Sequence, residues 1–174
     1  DITTLLKPDQ KNLLEVTVDK VSANASINKA ERTSDFWIFG GIFRPVYLET
    51  VPNKFIERVA VNAKADGTFQ LDVYGQNLDA DDILEAQVKK LTGENVGKAF
   101  AVKANLENGM QTLKATFSNP LLWSSEFPNL YQVMVRIKNK QKIIHQVKQK
   151  FGFRTLELRN GDGFYVNGSK MILK

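Results

Sequence analysis

Residues 59–74 read VAVNAKADGTFQLDVY and carry the strongest fold signal of the chain. Apolar and polar residues alternate on both sides of the pair Asp66-Gly67. Alternation with a period of two is typical of a half-buried β-strand. An Asp-Gly pair between two such runs is a strong hairpin signal. The stretch therefore predicts two antiparallel strands joined by a tight turn.

Further runs with the same alternation follow along the chain. Asn108-Gly109, between the fourth and fifth runs, repeats the hairpin signal. The run at 83–91 also fits a helical face, because Glu and Lys favour helices, but a lone helix would interrupt the series. Together the runs predict an all-β, two-sheet antiparallel β-sandwich of about 100 residues. Its seven strands are expected at 55–64, 68–74, 83–91, 98–104, 111–117, 130–138 and 142–151.

The flanks on either side of these runs carry less signal. Leu13–Val18 predicts one strand before the sandwich. Residues 154–174 predict two short strands and a hairpin, with tight turns at 160–163 and at Asn167-Gly168. Neither flank is large enough for an independent core. We therefore expect flanking strands that belong to truncated neighbouring domains.

Composition excludes several classes of protein. The 174 residues include 43% hydrophobic and 25% charged residues, which is ordinary for a globular chain. The absence of cysteine excludes disulfides, a thiolate nucleophile and cysteine-based zinc sites. A single histidine excludes a multi-histidine metal site. No run of about 18 apolar residues is present, so no membrane span is predicted.

The net charge of +5 is modest, but five lysines cluster in one stretch. Neither aromatic stacking residues nor a recognition helix accompany them, so a nucleic-acid partner is not expected. A solvated strand face is favoured over a phosphate-binding patch. The cluster comprises Lys138, Lys140, Lys142, Lys148 and Lys150.

Three residues are weighed for chemistry, the pair Asp35 and Trp37 and the single histidine His145. Trp37 beside Asp35 is the pattern of a sugar subsite, because aromatic faces pack on sugar C–H groups and carboxylates accept hydrogen bonds from hydroxyls. The alternative is that the aromatic residues around Trp37 are buried anchors. His145 lies on an apolar strand face, which favours a core or boundary histidine with one satisfied nitrogen over catalysis.

Three aspartates, Asp79, Asp81 and Asp82, follow one another in a polar loop. Turn formation and capping explain them, because aspartate bonds to nearby backbone N–H groups. A calcium site stays open as the less favoured alternative, since it would need more oxygen ligands.

Three motifs resemble glycoside hydrolase family 2, the β-galactosidases, β-mannosidases and β-glucuronidases. Residues 35–49, DFWIFGGIFRPVYLE, resemble the end of that family's sugar-binding jelly roll. Residues 119–131, NPLLWSSEFPNLY, resemble its Leu-Trp-Ser-Pro-Glu-x-Pro-x-Leu-Tyr segment, with Ser125 in place of the usual proline. Phe-Gly-Phe-Arg at 151–154, followed by Asn-Gly at 167–168, resembles the lead into its catalytic barrel.

The resemblance implies three pieces of a larger enzyme. Residues 1–50 would be the C-terminal part of the jelly-roll domain, and 51–153 an immunoglobulin-like β-sandwich. Residues 154–174 would be the leading segment of the catalytic TIM barrel. The family's two catalytic glutamates would then lie beyond Lys174, and this chain alone would be inactive.

The resemblance also implies partners and a site. Asp35 matches an aspartate that reaches into the family's active site and binds substrate, and Trp37 is the second expected substrate-binding residue. Catalytic residues, metal and cofactors are expected to be absent. The expected partners are the neighbouring jelly-roll and barrel domains, the carbohydrate substrate of the parent and a homodimer through exposed flanks. A periplasmic or secreted bacterial location is favoured over a cytoplasmic one.

The main alternative function is a stand-alone carbohydrate-binding or adhesive immunoglobulin-like module that binds sugar through Trp37 or Trp123. A nucleic-acid binder that uses the Lys138–Lys150 face is a third and less favoured interpretation. In the favoured interpretation, Trp123, Phe127 and Leu130 instead fill the edge of the sandwich. Replacing Trp123 with alanine would then cost about 3–5 kcal/mol if the ring were fully buried.

Overall fold

The computed structural model describes residues 2–33 and 40–172. The chain forms two compact units, Asp1–Glu49 and Thr50–Lys174. Within the described ranges, no helix has the length and apolar character needed to cross a membrane.

The second unit contains all seven predicted sandwich strands, including the run at 83–91, which is a strand and not a helix. Each alternating run coincides with a strand to within a few residues. The strands are β1 (Phe55–Ala63), β2 (Thr68–Gln76), β3 (Asp82–Lys90), β4 (Asn95–Lys103), β5 (Met110–Thr116), β6 (Tyr131–Asn139) and β7 (Lys142–Phe151).

These strands form two antiparallel sheets. The first sheet has the order β1-β2-β5 and the second the order β4-β3-β6-β7. Inward side chains of both sheets, such as Leu71 and Leu113 of the first and Leu84 and Val135 of the second, belong to one hydrophobic cluster. The predicted all-β, immunoglobulin-like sandwich is therefore confirmed.

Phe69 lies at the centre of this core and is completely buried. Its ring centroid lies 5.9 Å from that of Phe100, 5.6 Å from that of Phe117 and 5.1 Å from that of Phe151. Such aromatic pairs add about 0.5–1.5 kcal/mol each beyond the burial of their area. Because Phe69 and Phe151 belong to different sheets, this cluster joins the two layers.

The Asp66-Gly67 turn closes the β1–β2 hairpin, as predicted. The Asp66 carboxylate accepts a hydrogen bond from the Thr68 N–H at 2.8 Å, and this bond lowers the pKa of Asp66. Gly67 has φ +86°, and a Cβ there would lie 1.9 Å from the carbonyl oxygen of Phe117. Only glycine fits this position.

The hairpin predicted at Asn108-Gly109 is wrong. A tight turn does form, because Glu107 and Met110 exchange backbone hydrogen bonds of 3.1 and 3.0 Å. However, β4 and β5 belong to different sheets. The chain crosses the sandwich between them, since β5 buries Leu113 by pairing with β2 and not with β4.

Residues after Arg154 form a small antiparallel sheet with the order β10-β9-β8. Its strands are β8 (Leu156–Arg159), β9 (Gly163–Val166) and β10 (Ser169–Met171). Both predicted turns are present between these strands. The sequence predicted two short strands and a hairpin, and the structure has three strands joined by the two turns.

The first unit differs from the prediction. Its described residues hold a 3-10 turn at Thr3–Leu5 and one helix, α1 (Ala25–Arg32), with no strand. Leu13–Val18 is unpaired there, because no strand among the described residues of the unit lies beside it to take its hydrogen bonds. The Asn24 side chain caps α1 by accepting from Ser26 N–H at 3.0 Å. That cap was a readable sequence signal for the missed helix.

Candidate functional site

The two substrate-binding residues predicted from the sequence, Asp35 and Trp37, lie outside the described residues. The same motif continues into the described part at Gly40. There Ile42 and Phe43 are exposed, by 54% and 84% of their surface.

The Leu-Trp segment and the Phe-Gly-Phe-Arg segment lie side by side. Leu122 and Phe153 form a parallel bridge, and the Trp123 N–H donates to the Phe153 carbonyl at 2.9 Å. The Asn129 side chain donates to the Leu122 carbonyl at 2.9 Å. The loop between β5 and β6 is thereby held against the chain that leaves β7.

Asn167, of the Asn-Gly motif, completes this arrangement with three hydrogen bonds. Its backbone N–H donates to the Thr155 carbonyl, and its side-chain oxygen accepts from the Thr155 N–H, each at 2.9 Å. Its amide nitrogen donates to the Trp123 carbonyl at 2.9 Å. Asn167 has φ +51°, a conformation that asparagine tolerates better than most residues.

Packing of side chains reinforces the hydrogen bonds. The Arg154 guanidinium lies 4.5 Å from the centre of the Trp123 ring, within cation–π range. A Cβ on Gly152 would lie 2.6 Å from the Trp123 Cβ, so only glycine permits this approach. Together these residues form the motif junction, defined as Leu122, Trp123, Asn129, Gly152–Thr155 and Asn167.

The motif junction is also bonded to the end of β1. The Arg154 N–H donates to the Ala63 carbonyl at 2.9 Å, and the Ala65 N–H donates to the Thr155 hydroxyl at 3.1 Å. Beside these bonds lies an open groove of about 620 Å³. Its walls include Val59, Val61, Leu130, Arg154 and Leu156.

Part of the packing predicted for this segment is wrong. Phe127 is 70% exposed and Leu130 39% exposed, so neither fills the edge of the sandwich. Trp123 is only half-buried. The reason is a local turn: Ser124 and Phe127 bond to each other, with the Phe127 N–H donating to the Ser124 hydroxyl at 3.0 Å. This turn directs the loop around Ser125 away from the core.

Two of the three aspartates, Asp79 and Asp82, form an ion-pair cluster with Lys54. The Lys54 ammonium lies 2.6 Å from an Asp79 oxygen and 2.7 Å from an Asp82 oxygen. Asp82 is fully buried, and its other oxygen accepts from the Asn139 side chain at 2.9 Å. Over residues 2–33 and 40–172, no group of three or more His, Asp or Glu side chains could hold a metal ion.

The pKa of Asp82 reports this environment. Burial alone raises the pKa of the carboxyl group, but the hydrogen bonds from Lys54, Asn139 and the Asp79 N–H outweigh burial and hold it below its ordinary value. The same bonds to Asp79 and Asp82 raise the pKa of Lys54. Sequence reasoning missed this cluster. The available signal was the position of Asp82, two residues before the buried Leu84 and on the same face of the strand.

His145 is a boundary residue, as predicted. Its Nδ1 accepts a hydrogen bond from the Ile56 N–H at 3.1 Å. Its ring lies 6.4 Å from the Phe55 ring in an edge-to-face arrangement. Since Ile56 and His145 are in different sheets, this contact joins β1 to β7.

The sandwich and the motif junction together define a glycosidase-related immunoglobulin-like domain. A sequence model of glycosyl hydrolases family 2 matches residues 53–154, more than half of the chain. The chain belongs to glycosyl hydrolases family 2.

Individual relatives agree with this assignment. A beta-galactosidase of Halalkalibacterium halodurans is 33% identical over 145 residues, which are 80% of this chain and 14% of that protein. A beta-galactosidase of Clostridium acetobutylicum is 31% identical over 162 residues, 92% of this chain and 18% of that protein. The beta-glucuronidase of Parabacteroides merdae has the same fold, with TM-score 0.64 and 24% identity over 81% of this chain and 18% of its own. The chain spans less than a quarter of the length of these relatives.

Proposed function

We propose that this chain is a non-catalytic structural part of a larger family 2 enzyme that hydrolyses O-glycosidic bonds, a β-galactosidase or relative. Residues 1–50 would be the C-terminal part of its jelly-roll domain, and residues 154–174 would lead into its TIM barrel. Residues 51–153 would form the spacer, the sandwich that separates and orients these two domains. The observation that carries the proposal is the motif junction, which fixes the direction in which the chain leaves the sandwich.

Rigid attachment matters in such an enzyme because substrate and catalytic groups must meet in a fixed geometry. Three hydrogen bonds from Asn167 and the Arg154–Trp123 contact restrain residues 154–168 against the sandwich. A domain that continues from this segment would inherit that orientation. The proposed role is therefore to hold a barrel and a sugar-binding domain in register.

The described carboxylates support a non-catalytic role. Glycoside hydrolysis uses two carboxyl groups facing across a cleft, about 5–10 Å apart, one of them with a raised pKa. Asp82 is the one buried acidic residue of the described ranges, and it is bonded to Lys54 and Asn139. Its pKa is lowered, which is the wrong direction for a general acid.

The substrate of the parent enzyme and its neighbouring domains are proposed as partners of the first 50 residues. Asp35 and Trp37 would contribute to substrate binding in the parent enzyme. Exposed apolar side chains of the first unit, such as Leu13 (93%) and Phe43 (84%), would contact a neighbouring domain or a second copy of the chain. The carbohydrate-module alternative is weaker at Trp123, because Arg154 already covers one face of its ring.

Two assays test the proposal. The 174-residue chain, incubated with chromogenic β-galactoside and β-glucuronide, should release no chromophore above the blank, and turnover would overturn it. In an enzyme that contains this chain, Asn167→Ala should lower kcat because the barrel loses its orientation. The matched control is Asn160→Ala in the exposed β8–β9 turn, which should leave kcat unchanged. Equal activity of both variants would contradict the spacer role.

A further inference from the structure

The outer face of the four-stranded sheet is rich in lysine. Residues directly opposite in an antiparallel pair point to the same side, and the inward side is set by the buried Leu84, Ala86 and Val135. Register then places seven charged side chains outward, with the uncharged Met134 and Gln132 of β6 directly opposite the two lysines of β7. This basic face comprises Lys89, Lys103, Arg136, Lys138, Lys148, Lys150 and Glu85.

The basic face carries the whole net charge of the chain. Its six cations and one carboxylate give a formal charge of +5, which equals the +5 of all 174 residues. The remaining charges therefore balance. A concentrated field of one sign attracts an oppositely charged partner and speeds its association.

Most of this charge is unpaired. The Glu85 carboxylate forms ion pairs with Lys138 at 2.6 Å and with Arg136 at 3.2 Å. Both contacts lower the pKa of Glu85, and the hydrogen bond from Lys138 has the larger effect. Over the described ranges, Lys148 and Lys150 make no ion pair, and both are exposed. They lie two residues apart on β7, which separates them by about 7 Å along the strand.

The shape of the face selects among anionic partners. It carries no aromatic ring on which a nucleic-acid base could stack, and a four-stranded sheet is broader than the helix or two-stranded ribbon that the major groove admits. The centre of the face is the ion cluster of Glu85, Arg136 and Lys138. Protein–protein interfaces are instead centred on buried aromatic side chains, so a protein partner is less favoured. The cations are spread over all four strands of the sheet, and such an array suits an extended polymer with repeated carboxylate or sulfate groups.

We propose that the basic face is a docking surface for an anionic polysaccharide, which it holds through the carboxylate or sulfate groups of the polymer. The inference rests on the proposed function in one respect, that the chain is part of an enzyme acting on sugars. Docking would keep a charged polymer close to the parent enzyme between cleavage events.

Native gel electrophoresis of the 174-residue chain, with polymer cast in the gel, tests the proposal. Polygalacturonate supplies carboxylates, dextran sulfate supplies sulfates, and dextran is the neutral polymer of similar size. One or both charged polymers should retard the chain, and dextran should not. Retardation by only one of them identifies the group that is recognised. Affinity should fall steeply between about 50 and 200 mM salt, because binding releases counterions.

Variants locate the binding to the basic face. Lys148→Glu with Lys150→Glu should weaken binding about tenfold or more, because two contacts become repulsive. The matched control, Lys64→Glu with Lys114→Glu, makes the same change in net charge at two exposed residues on the side of the three-stranded sheet and should weaken it less than twofold. The milder pair Lys148→Gln with Lys150→Gln should lie between them, which guards against a folding defect.

Several outcomes would overturn the proposal. These are no retardation by either charged polymer, equal weakening by the test and control pairs, or tighter binding of a single-stranded oligonucleotide of matched charge. Failure here is distinguishable from failure of the proposed function. Turnover of a chromogenic glycoside overturns the spacer role and leaves polymer binding intact, whereas absent binding leaves the spacer role intact.

Discussion

Two regions of this chain share one sequence pattern but have different structures. Phe69–Val73 and Leu13–Val18 both contain alternating apolar residues. In β2, Phe69, Leu71 and Val73 are completely buried, and strands β1 and β5 pair on either side. In the first unit, Leu13 is 93% exposed, and no strand from residues 2–33 or 40–49 pairs with it.

Alternation therefore gives a strand an apolar face, but it does not supply the neighbouring strands or the second sheet that would pair with it and cover it. Burying such a face yields about 25 cal/mol per Å² of apolar surface removed from water. That gain needs a second layer, which β2 obtains from the opposite sheet and Leu13–Val18 does not obtain from the described part of its unit. Stability of the chain should therefore lie in the sandwich.

Among the substitutions that test this contrast, Phe69→Ala should have the largest effect on stability. Loss of the ring leaves a cavity where Phe100, Phe117 and Phe151 meet, so the free energy of unfolding should fall by about 3–5 kcal/mol. Chemical denaturation gives the value. A loss below about 1 kcal/mol would show that the core is not centred on Phe69.

Asp82→Asn should have the next largest effect. It removes a charge-assisted pairing with Lys54 inside the sandwich, which should cost about 2–3 kcal/mol. Asp81→Asn in the same loop is the matched control, because Asp81 is exposed, and should change stability by less than about 0.5 kcal/mol. Equal losses in the two variants would contradict the structural role of Asp82.

The same residue predicts a pH dependence. The folded protein holds the pKa of Asp82 below its unfolded value of about 3.9. The stabilisation is therefore fully present above that value and is lost as the pH falls through the lower, folded pKa. Denaturation curves between about pH 2 and 6 should show a smaller acid loss for Asp82→Asn than for the natural chain. Parallel curves would argue against this linkage.

Trp123→Ala should cost less than a core substitution. Because the ring is half-buried between Gly152 and Arg154, we expect a loss of about 2 kcal/mol, below that for Phe69. Phe127→Ala, an aromatic of the same motif that is 70% exposed, should change stability by less than about 0.5 kcal/mol. Equal losses would mean that the loop packs on the sandwich after all.

Val16→Ala should have the smallest effect. Its side chain is 55% exposed in the first unit, so the free energy of unfolding should change by less than about 0.5 kcal/mol. Val73→Ala is the matched control and should cost about 2–3 kcal/mol, since that side chain is fully buried. A large loss from Val16→Ala would remove the contrast between the two regions.

Sequence reasoning predicted the strands far better than their connections. The seven alternating runs and the Asp66-Gly67 turn were readable because both depend on residues close together in the chain. The sheet membership of β4 and β5 was not readable at Asn108-Gly109. That turn forms in the same way whether the flanking strands pair or cross to opposite sheets.

For the candidate site, the motifs predicted which residues matter but not how they meet. Nothing near Asn167 in the sequence indicates that its amide bonds the Trp123 carbonyl, 44 residues away. The Lys54–Asp82 pair was likewise missed, because a buried aspartate acquires its cation from a segment 28 residues distant.

The β class, the strand positions and the family of this protein could be read from its amino-acid sequence, because these follow from local alternation, turn residues and short motifs. Only the tertiary structure decided which strands share a sheet, which half-buried groups meet at the motif junction and which lysines form the basic face. Those outcomes depend on pairing between distant segments, and a strand gains free energy from its apolar face only when such a partner covers it.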